Sequence, residues 1–193
     1  MDNPTFSFPE FETERLFIVK YSMNFANDAF QFYRDIETMK WAGPDVHTSL
    51  NDTLSFIQSA IKTSEEGSHL FWAVIEKKTN KMIGDISLSP DKKHRYASLG
   101  TILNKSYLQK RIMTEATMQI LSCAFSALNL NRIEAQIYVN HTASIKFMEK
   151  LGLKKEGLLR QNFMIDGTIR DSFMYALLKE DFIFKKYPIN NIQ

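Results

Sequence analysis

Apolar positions along the chain fall into short strand-like runs separated by stretches with helical spacing. Residues 15–21 read as a strand, and 23–35 as a helix that sets Phe25, Ala29, Phe32 and Ile36 on one side. Trp41-Ala-Gly-Pro44 breaks that helix. Ser49-Leu-Asn-Asp52 is a capping signal for a second helix through about Thr63, with Leu50, Leu54, Ile57 and Ile61 as its apolar positions. Three β-rich runs follow at 70–75, 81–88 and 96–103, punctuated by Thr79-Asn80 and by Pro90-Asp-Lys-Lys-His-Arg95, which predicts an antiparallel meander. Next come a long amphipathic helix over 113–128, a strand over 133–139, and a helix over 142–151 stopped by Gly152. The last unit is a hairpin with arms at 154–165 and 168–178, joined by Asp166-Gly167, a strong two-residue turn signal.

Composition narrows the class. A chain of 193 residues, 44% hydrophobic and 24% charged, supports one domain with a real core. No long uncharged apolar run is present, which argues against a membrane span, and the first twenty residues carry acids where a secretion signal would carry bases. A cytoplasmic location is expected. One cysteine, Cys123, cannot form an internal disulfide, and it falls on an apolar helix stripe with Ile120, Ala124 and Ala127, so core packing is expected of it. His47, His69, His94 and His141 show no ligand spacing, so no metal is expected. A net charge of +2 gives no reason to expect direct nucleic-acid binding, and the basic run Lys92–Arg95 reads as a solvated turn. Oligomer formation is left open.

The order β-α-α-β-β-β-α-β-α-β-β resembles that of the GNAT superfamily of N-acetyltransferases. More specific landmarks accompany it. The run Asn140-His-Thr-Ala-Ser-Ile-Lys-Phe-Met-Glu-Lys-Leu-Gly152, followed by Glu156-Gly157, Arg160, Gly167, Asp171, Tyr175 and Leu177-Leu178, resembles the carboxy-terminal signature of the ribosomal-protein N-terminal acetyltransferase branch. Upstream, Thr13-Glu-Arg-Leu16 is similar to that family's opening strand, Ile83-Gly84 to its third strand and Thr114-Glu-Ala116 to the start of its central helix. The resemblance implies a single α/β domain over 1–193, core about 13–182, with the GNAT (acyl-CoA N-acyltransferase) fold: a mixed, mostly antiparallel sheet flanked by helices, its central strands splayed. It implies transfer of an acetyl group from acetyl-CoA to a primary amine by direct attack, the acceptor being a protein or peptide N-terminus. A small-molecule amine acceptor and a non-catalytic GNAT-like binding module are the alternatives.

The resemblance also implies where the chemistry sits. Pyrophosphate is bound in the family by backbone N–H groups of the loop entering the central helix, here 106–113. Aligned on Thr114-Glu115-Ala116, the family pattern Q/R-x-x-G-x-G/A meets Ser106, Gln109 and Arg111, so all three signature positions depart. Cofactor contacts are accordingly expected from Leu103, Gln109, Lys110, Arg111, Ile112, Met113, Thr114 and Asn140, with the thioester arm between the strands at 96–103 and 133–139. Asn140 is read both as a contact to that arm and as the N-cap of the helix that starts at Thr142. Ser144 is either the proton donor to the departing thiolate or a small first-turn residue without chemistry. Where this branch often carries a Glu on the central strand, the chain has Ser98, so no general base is assigned. Trp41 and His47 lie in the connection that borders the family's acceptor site and either shape it or are loop residues without a role; from the hairpin register, Arg160 on the diagonal of Asp171 is expected to form an ion pair with it, direct substrate contact being the alternative.

Overall fold

The computed structural model describes residues 9–42, 45–165 and 167–183. Among them one eight-stranded sheet runs in the order β1-β2-β3-β4-β5-β6-β8-β7. Its strands are β1 (Phe11–Glu12), β2 (Leu16–Lys20), β3 (Leu70–Glu76), β4 (Lys81–Asp91), β5 (Tyr96–Leu103), β6 (Arg132–Tyr138), β7 (Lys154–Ile165) and β8 (Thr168–Leu178). The helices are α1 (Ala26–Tyr33), α2 (Ile36–Met39), α3 (Leu50–Glu66), α4 (Ile112–Ser126) and α5 (Thr142–Leu151). β3 shows why the sheet has a layer on each face. Leu70, Trp72 and Val74 pack with α4 and α5, whereas Phe71, Ala73 and Ile75 pack with α1 and α3, so its near-continuous apolar sequence is buried from both sides.

Local chemistry sets the ends of the helices. Ser49 Oγ accepts the Asp52 N–H at 3.3 Å, and the Asp52 carboxylate in return accepts the N–H groups of Ser49 and Thr48 at 2.9 and 2.8 Å, which closes the predicted capping box of α3. Those donors pull the Asp52 carboxyl down to about 2. Gly152 ends α5 at φ 94°, as expected. The first predicted helix is divided: Asp35 caps the separate turn α2 by accepting the Thr38 N–H at 3.0 Å, and Ile36, expected on the apolar side, is 68% exposed. The predicted amphipathic helix over 113–128 is instead buried nearly all round, with Thr117, Gln119 and Ser122 inside as well, because the sheet and α5 enclose α4.

Two irregularities in strand pairing position the site. One is at the centre of the sheet, where β5 pairs antiparallel with β4 along its whole length but is joined to β6 only by three parallel rungs, Tyr96–Ser98 against Arg132–Glu134. Beyond them the two strands part, and the expected splay is present as a fork whose facing edges carry no ladder bonds. The other is in the hairpin, whose arms match the prediction; Asp166 of its expected turn lies outside the described residues. Between the rungs Leu159↔Ser172 and Phe163↔Arg170 three residues face Asp171 alone, and Gln161 takes φ 51°. This bulge replaces the expected Arg160–Asp171 ion pair: Asp171 Oδ1 accepts the Gln161 N–H at 2.8 Å.

Candidate active site

The loop leading from β5 into α4 is held from a distance. Gln109 (φ 62°) and Arg111 (φ 59°) both adopt the left-handed conformation, and these are the two positions where the family pattern has small residues. A side chain there costs roughly 1–2 kcal/mol, so something must enforce the geometry. Arg15 does much of this. Its Nη1 donates to the Lys110 carbonyl at 3.0 Å, while Nε and Nη2 grip Glu115 Oε2 at 2.8 and 2.6 Å. Thr13 Oγ1 and the Arg15 N–H donate to Glu115 Oε1 at 2.5 and 3.3 Å. The landmarks Thr13–Leu16 and Thr114–Ala116 are thus two halves of one clamp.

The clamp presents main chain rather than side chains. Ile112 and Met113 are buried in the core, so they can offer a ligand only their N–H groups. In α4 the Glu115 N–H is bonded to the Arg111 carbonyl, and the N–H groups of Ile112 to Thr114 precede it at the positive end of the helix dipole. Gln109, Lys110 and Arg111 have exposed side chains around this end, and Thr114 is half-buried. Close packing continues behind it. A Cβ on Gly84 would lie 2.3 Å from the Ile102 carbonyl oxygen, which explains the Ile83-Gly84 landmark: only glycine lets β4 pass so near the end of β5.

At the other arm of the fork, Asn140 is exposed just beyond β6, and Ser144 is half-buried in the first turn of α5 with no hydrogen bond from its hydroxyl among the described residues. The capping reading of Asn140 is corrected. His141 is the N-cap, without a side-chain bond, and Asn140 lies one residue too early for its amide to reach the helix; only its carbonyl accepts the Thr142 N–H at 3.1 Å. Trp41 stacks on His141 at 5.0 Å between ring centroids and lies 5.7 Å from Tyr138, which in turn meets Phe163 at 4.8 Å. Here opens a cleft of about 170 Å³ lined by Lys40, Trp41, Tyr138, Val139, Asn140, Ile165, Arg170 and Asp171. Tyr138 and this aromatic wall were not singled out from the sequence, although alternation along β6 places Tyr138 on the same face as Glu134. His47 does not join the cleft; it stacks on Tyr33 at 4.6 Å and its Nδ1 lies 2.8 Å from Thr53 Oγ1.

The carboxylates near the fork are already engaged. Glu134, on the rung of Ser98, accepts from Arg132 Nε at 2.9 Å, and Arg132 also holds Glu156. Asp85 is 3% exposed on β4, paired with Ile102; it accepts from the Tyr33 hydroxyl at 2.7 Å, and Tyr33 lies 3.1 Å from the Tyr21 hydroxyl. Burial pushes the Asp85 carboxyl up to about 7 and both phenols above their usual range. An acid within Met82-Ile-Gly-Asp-Ile86 was the only sequence signal for it. Cys123 is buried and its thiol is pushed up to about 12, in keeping with the packing role. No cluster of metal-ligating side chains occurs among the described residues, and no helix among them is long and apolar enough to cross a membrane.

Residues 15–154 match the family profile described as an acetyltransferase (GNAT) domain. The chain belongs to the GNAT family. Over 171 residues it is 32% identical to an uncharacterized N-acetyltransferase, p20, of Bacillus licheniformis, covering 88% of this chain and 96% of that one. Among solved structures it is similar to RimL, a ribosomal L7/L12 α-N-protein acetyltransferase in complex with coenzyme A (TM-score 0.80, 18% identity, 88% and 97% covered). It is also similar to a spermidine N-acetyltransferase from Vibrio cholerae in complex with CoA and spermine (TM-score 0.77, 19% identity, 88% and 98% covered). As a GNAT enzyme the protein is an N-acetyltransferase with acetyl-CoA as its co-substrate. The residues present suit that group. A glycine-like loop conformation at a helix N-terminus offers donors for phosphate, and the fork offers unpaired strand edges for the amides of the pantetheine arm.

Proposed function

We propose that this GNAT enzyme acetylates an α-amine, the N-terminus of a protein or peptide. The observation that carries the reading is the lack, among the described residues, of an unengaged carboxylate at the fork: Ser98 stands where the branch often has Glu, Glu134 is bound to Arg132, and Asp85 is enclosed by tyrosine. Without a strong base the acceptor has to supply its own neutral fraction. At pH 7 that fraction is about one in seven for an α-amine with pKa near 7.8, but only about one in 2,500 for a lysine-like amine with pKa 10.4. The difference favours the α-amine by more than two orders of magnitude.

In this reading the N–H groups of 111–114 hold the pyrophosphate, with Lys110 and Arg111 adding positive charge and Gln109 shaping the loop. The arm lies as an added strand between β5, ending at Leu103, and β6, with the Asn140 amide against it. The neutral amine attacks the thioester carbonyl carbon, the carbon–sulfur bond breaks, and the amine's surplus proton passes to water. The departing thiolate takes its proton from the Ser144 hydroxyl, which regains one from solvent.

The test begins with melting curves, because acetyl-CoA at a hundredfold excess over its Kd should add about 2.7 kcal/mol. Thiol release is then compared for a free-N-terminal peptide, an Nα-blocked lysine peptide and spermidine. A higher kcat/KM for spermidine or the lysine peptide would overturn the α-amine reading. Ser144→Ala is expected to lower kcat while leaving the Kd of acetyl-CoA in place; an unaltered kcat removes Ser144 from the chemistry.

A further inference from the structure

The charged side chains lining the acceptor cleft come from two separate segments. Lys40 stands at the end of α2, its Nζ 5.4 Å over the Trp41 ring, and Arg170 projects from β8, both exposed. Neither forms an ion pair among the described residues. Among the described residues the one carboxylate in the lining is Asp171, whose Oδ1 accepts the Gln161 N–H that the hairpin bulge delivers to it, and the Asp171 carbonyl accepts the Val139 N–H at 3.4 Å. Asp171 therefore ties β8 to the bulge and to the end of β6. Further along the same sheet, Glu134 and Glu156 are both consumed by Arg132. Trp41 and Tyr138 supply apolar surface between the cations.

A polycationic acceptor needs carboxylates spaced along its path, since each buried or half-buried ammonium otherwise loses hydration without replacement. Among the described residues this cleft presents the opposite balance: two cations without an ion-pair partner and one carboxylate, one of whose oxygens is held by the Gln161 N–H. We infer that it selects a primary amine bearing an anionic group a few atoms away, a carboxylate in an acidic N-terminal peptide segment, with Lys40 and Arg170 determining that specificity. The inference rests on the α-amine reading above and sharpens it. A carboxylate of the second or third peptide residue would meet Lys40 or Arg170 while the first residue packs on Trp41 and Tyr138. The α-amine then faces the fork. Arg170 can bind a carboxylate with two parallel N–H donors, whereas Lys40 acts as a point charge held in place by the indole.

The experiment measures thiol release by the full chain with acetyl-CoA and five acceptors. Three are peptides identical except at residues two and three, which are Asp-Glu, Ala-Ala or Lys-Lys; the others are spermidine and 2-aminoethyl phosphate. The expected result is a kcat/KM for the acidic peptide at least about tenfold above the neutral one and higher still above the basic one, with the gap narrowing as salt is raised. Lys40→Glu combined with Arg170→Glu should reverse the order of acidic and basic peptides, while the melting shift with acetyl-CoA confirms that the variant is folded and binds its donor. Equal rates on the three peptides, or an order unchanged by the double reversal, overturn the inference. A preference for 2-aminoethyl phosphate over the acidic peptide overturns the choice of a peptide carboxylate as the anion. Turnover of spermidine with none of the peptides overturns the α-amine reading itself, and so is distinguishable from failure of the charge assignment alone.

Discussion

The donor side and the acceptor side of the fork are built from different materials. On the donor side, as proposed, the ligand would meet main chain, held in a left-handed, glycine-like path by Arg15, Thr13 and Glu115 some hundred residues apart in sequence. On the proposed acceptor side it would meet side chains, Lys40, Trp41, Tyr138 and Arg170, carried on a connection, a strand end and a hairpin. A main-chain site can lose its sequence signature and keep its shape, as Gln109 and Arg111 show. A side-chain site changes specificity with each substitution. Hence the reaction is readable at the level of the family, whereas the acceptor has to be argued from local charge and packing.

The largest effect on this contrast should come from the clamp. Glu115→Ala removes the carboxylate that Arg15 and Thr13 grip and loosens the loop, so the KM for acetyl-CoA should rise about tenfold, equivalent to about 1.4 kcal/mol, with kcat changed far less. Arg15→Lys, which cannot make all of these bonds, should fall between; a parental KM in Glu115→Ala would show that the loop holds itself. Next is Asp85, buried on β4 beside the β5 arm of the fork. Its folded pKa of about 7 exceeds the ordinary 3.8, so between those values the folded state binds more protons than the unfolded one. The contribution of Asp85 to stability is therefore greatest below pH 4, falls as pH rises towards 7, and levels off above. Asp85→Asn should remove that decline and raise stability at pH 8 by roughly 1–3 kcal/mol. Parallel urea-unfolding profiles of parent and variant from pH 4 to 8 would contradict the assignment.

Smaller effects test whether the donor side is truly main chain. Arg111→Gly relieves the strain of φ 59° but gains freedom in the unfolded chain, so stability should rise by at most about 1 kcal/mol, and acetyl-CoA affinity should fall only modestly, through the loss of one nearby positive charge. A large loss of affinity with a steeper salt dependence in the parent would make the Arg111 side chain a phosphate ligand instead. Smallest of all, Asn140→Ala should leave the melting temperature unchanged, because its amide caps nothing, and weaken acetyl-CoA binding alone. A melting temperature lowered without ligand would restore a structural role.

Much of the fold was legible because its signals are local. Ser49 and Asp52 announce α3, Gly152 ends α5, and the alternation of the last two strands fixes both hairpin arms. What sequence could not show depended on competition between nearby options. Asp35 could continue the first helix or cap a new one, and it caps. Regular register would set Asn162 opposite Asp171, but Gln161 accepts a left-handed backbone and the bulge takes the ion pair's place. For the site, the landmarks located both arms of the fork; they could not reveal that Thr13, Arg15 and Glu115 meet, or that Tyr138 and Trp41 close one wall, since those contacts cross the chain.

The three rungs between β5 and β6 are a seam. With so few bonds joining one half of the sheet to the other there, the arm of the donor, lying in the fork, would act as the missing stitches. Loading would stiffen the molecule across the sheet without any loop closing over the ligand, and amide exchange along 99–103 and 135–139 would slow together on binding. Release of the spent carrier would then be an unzipping, its pace set by how easily the two halves part.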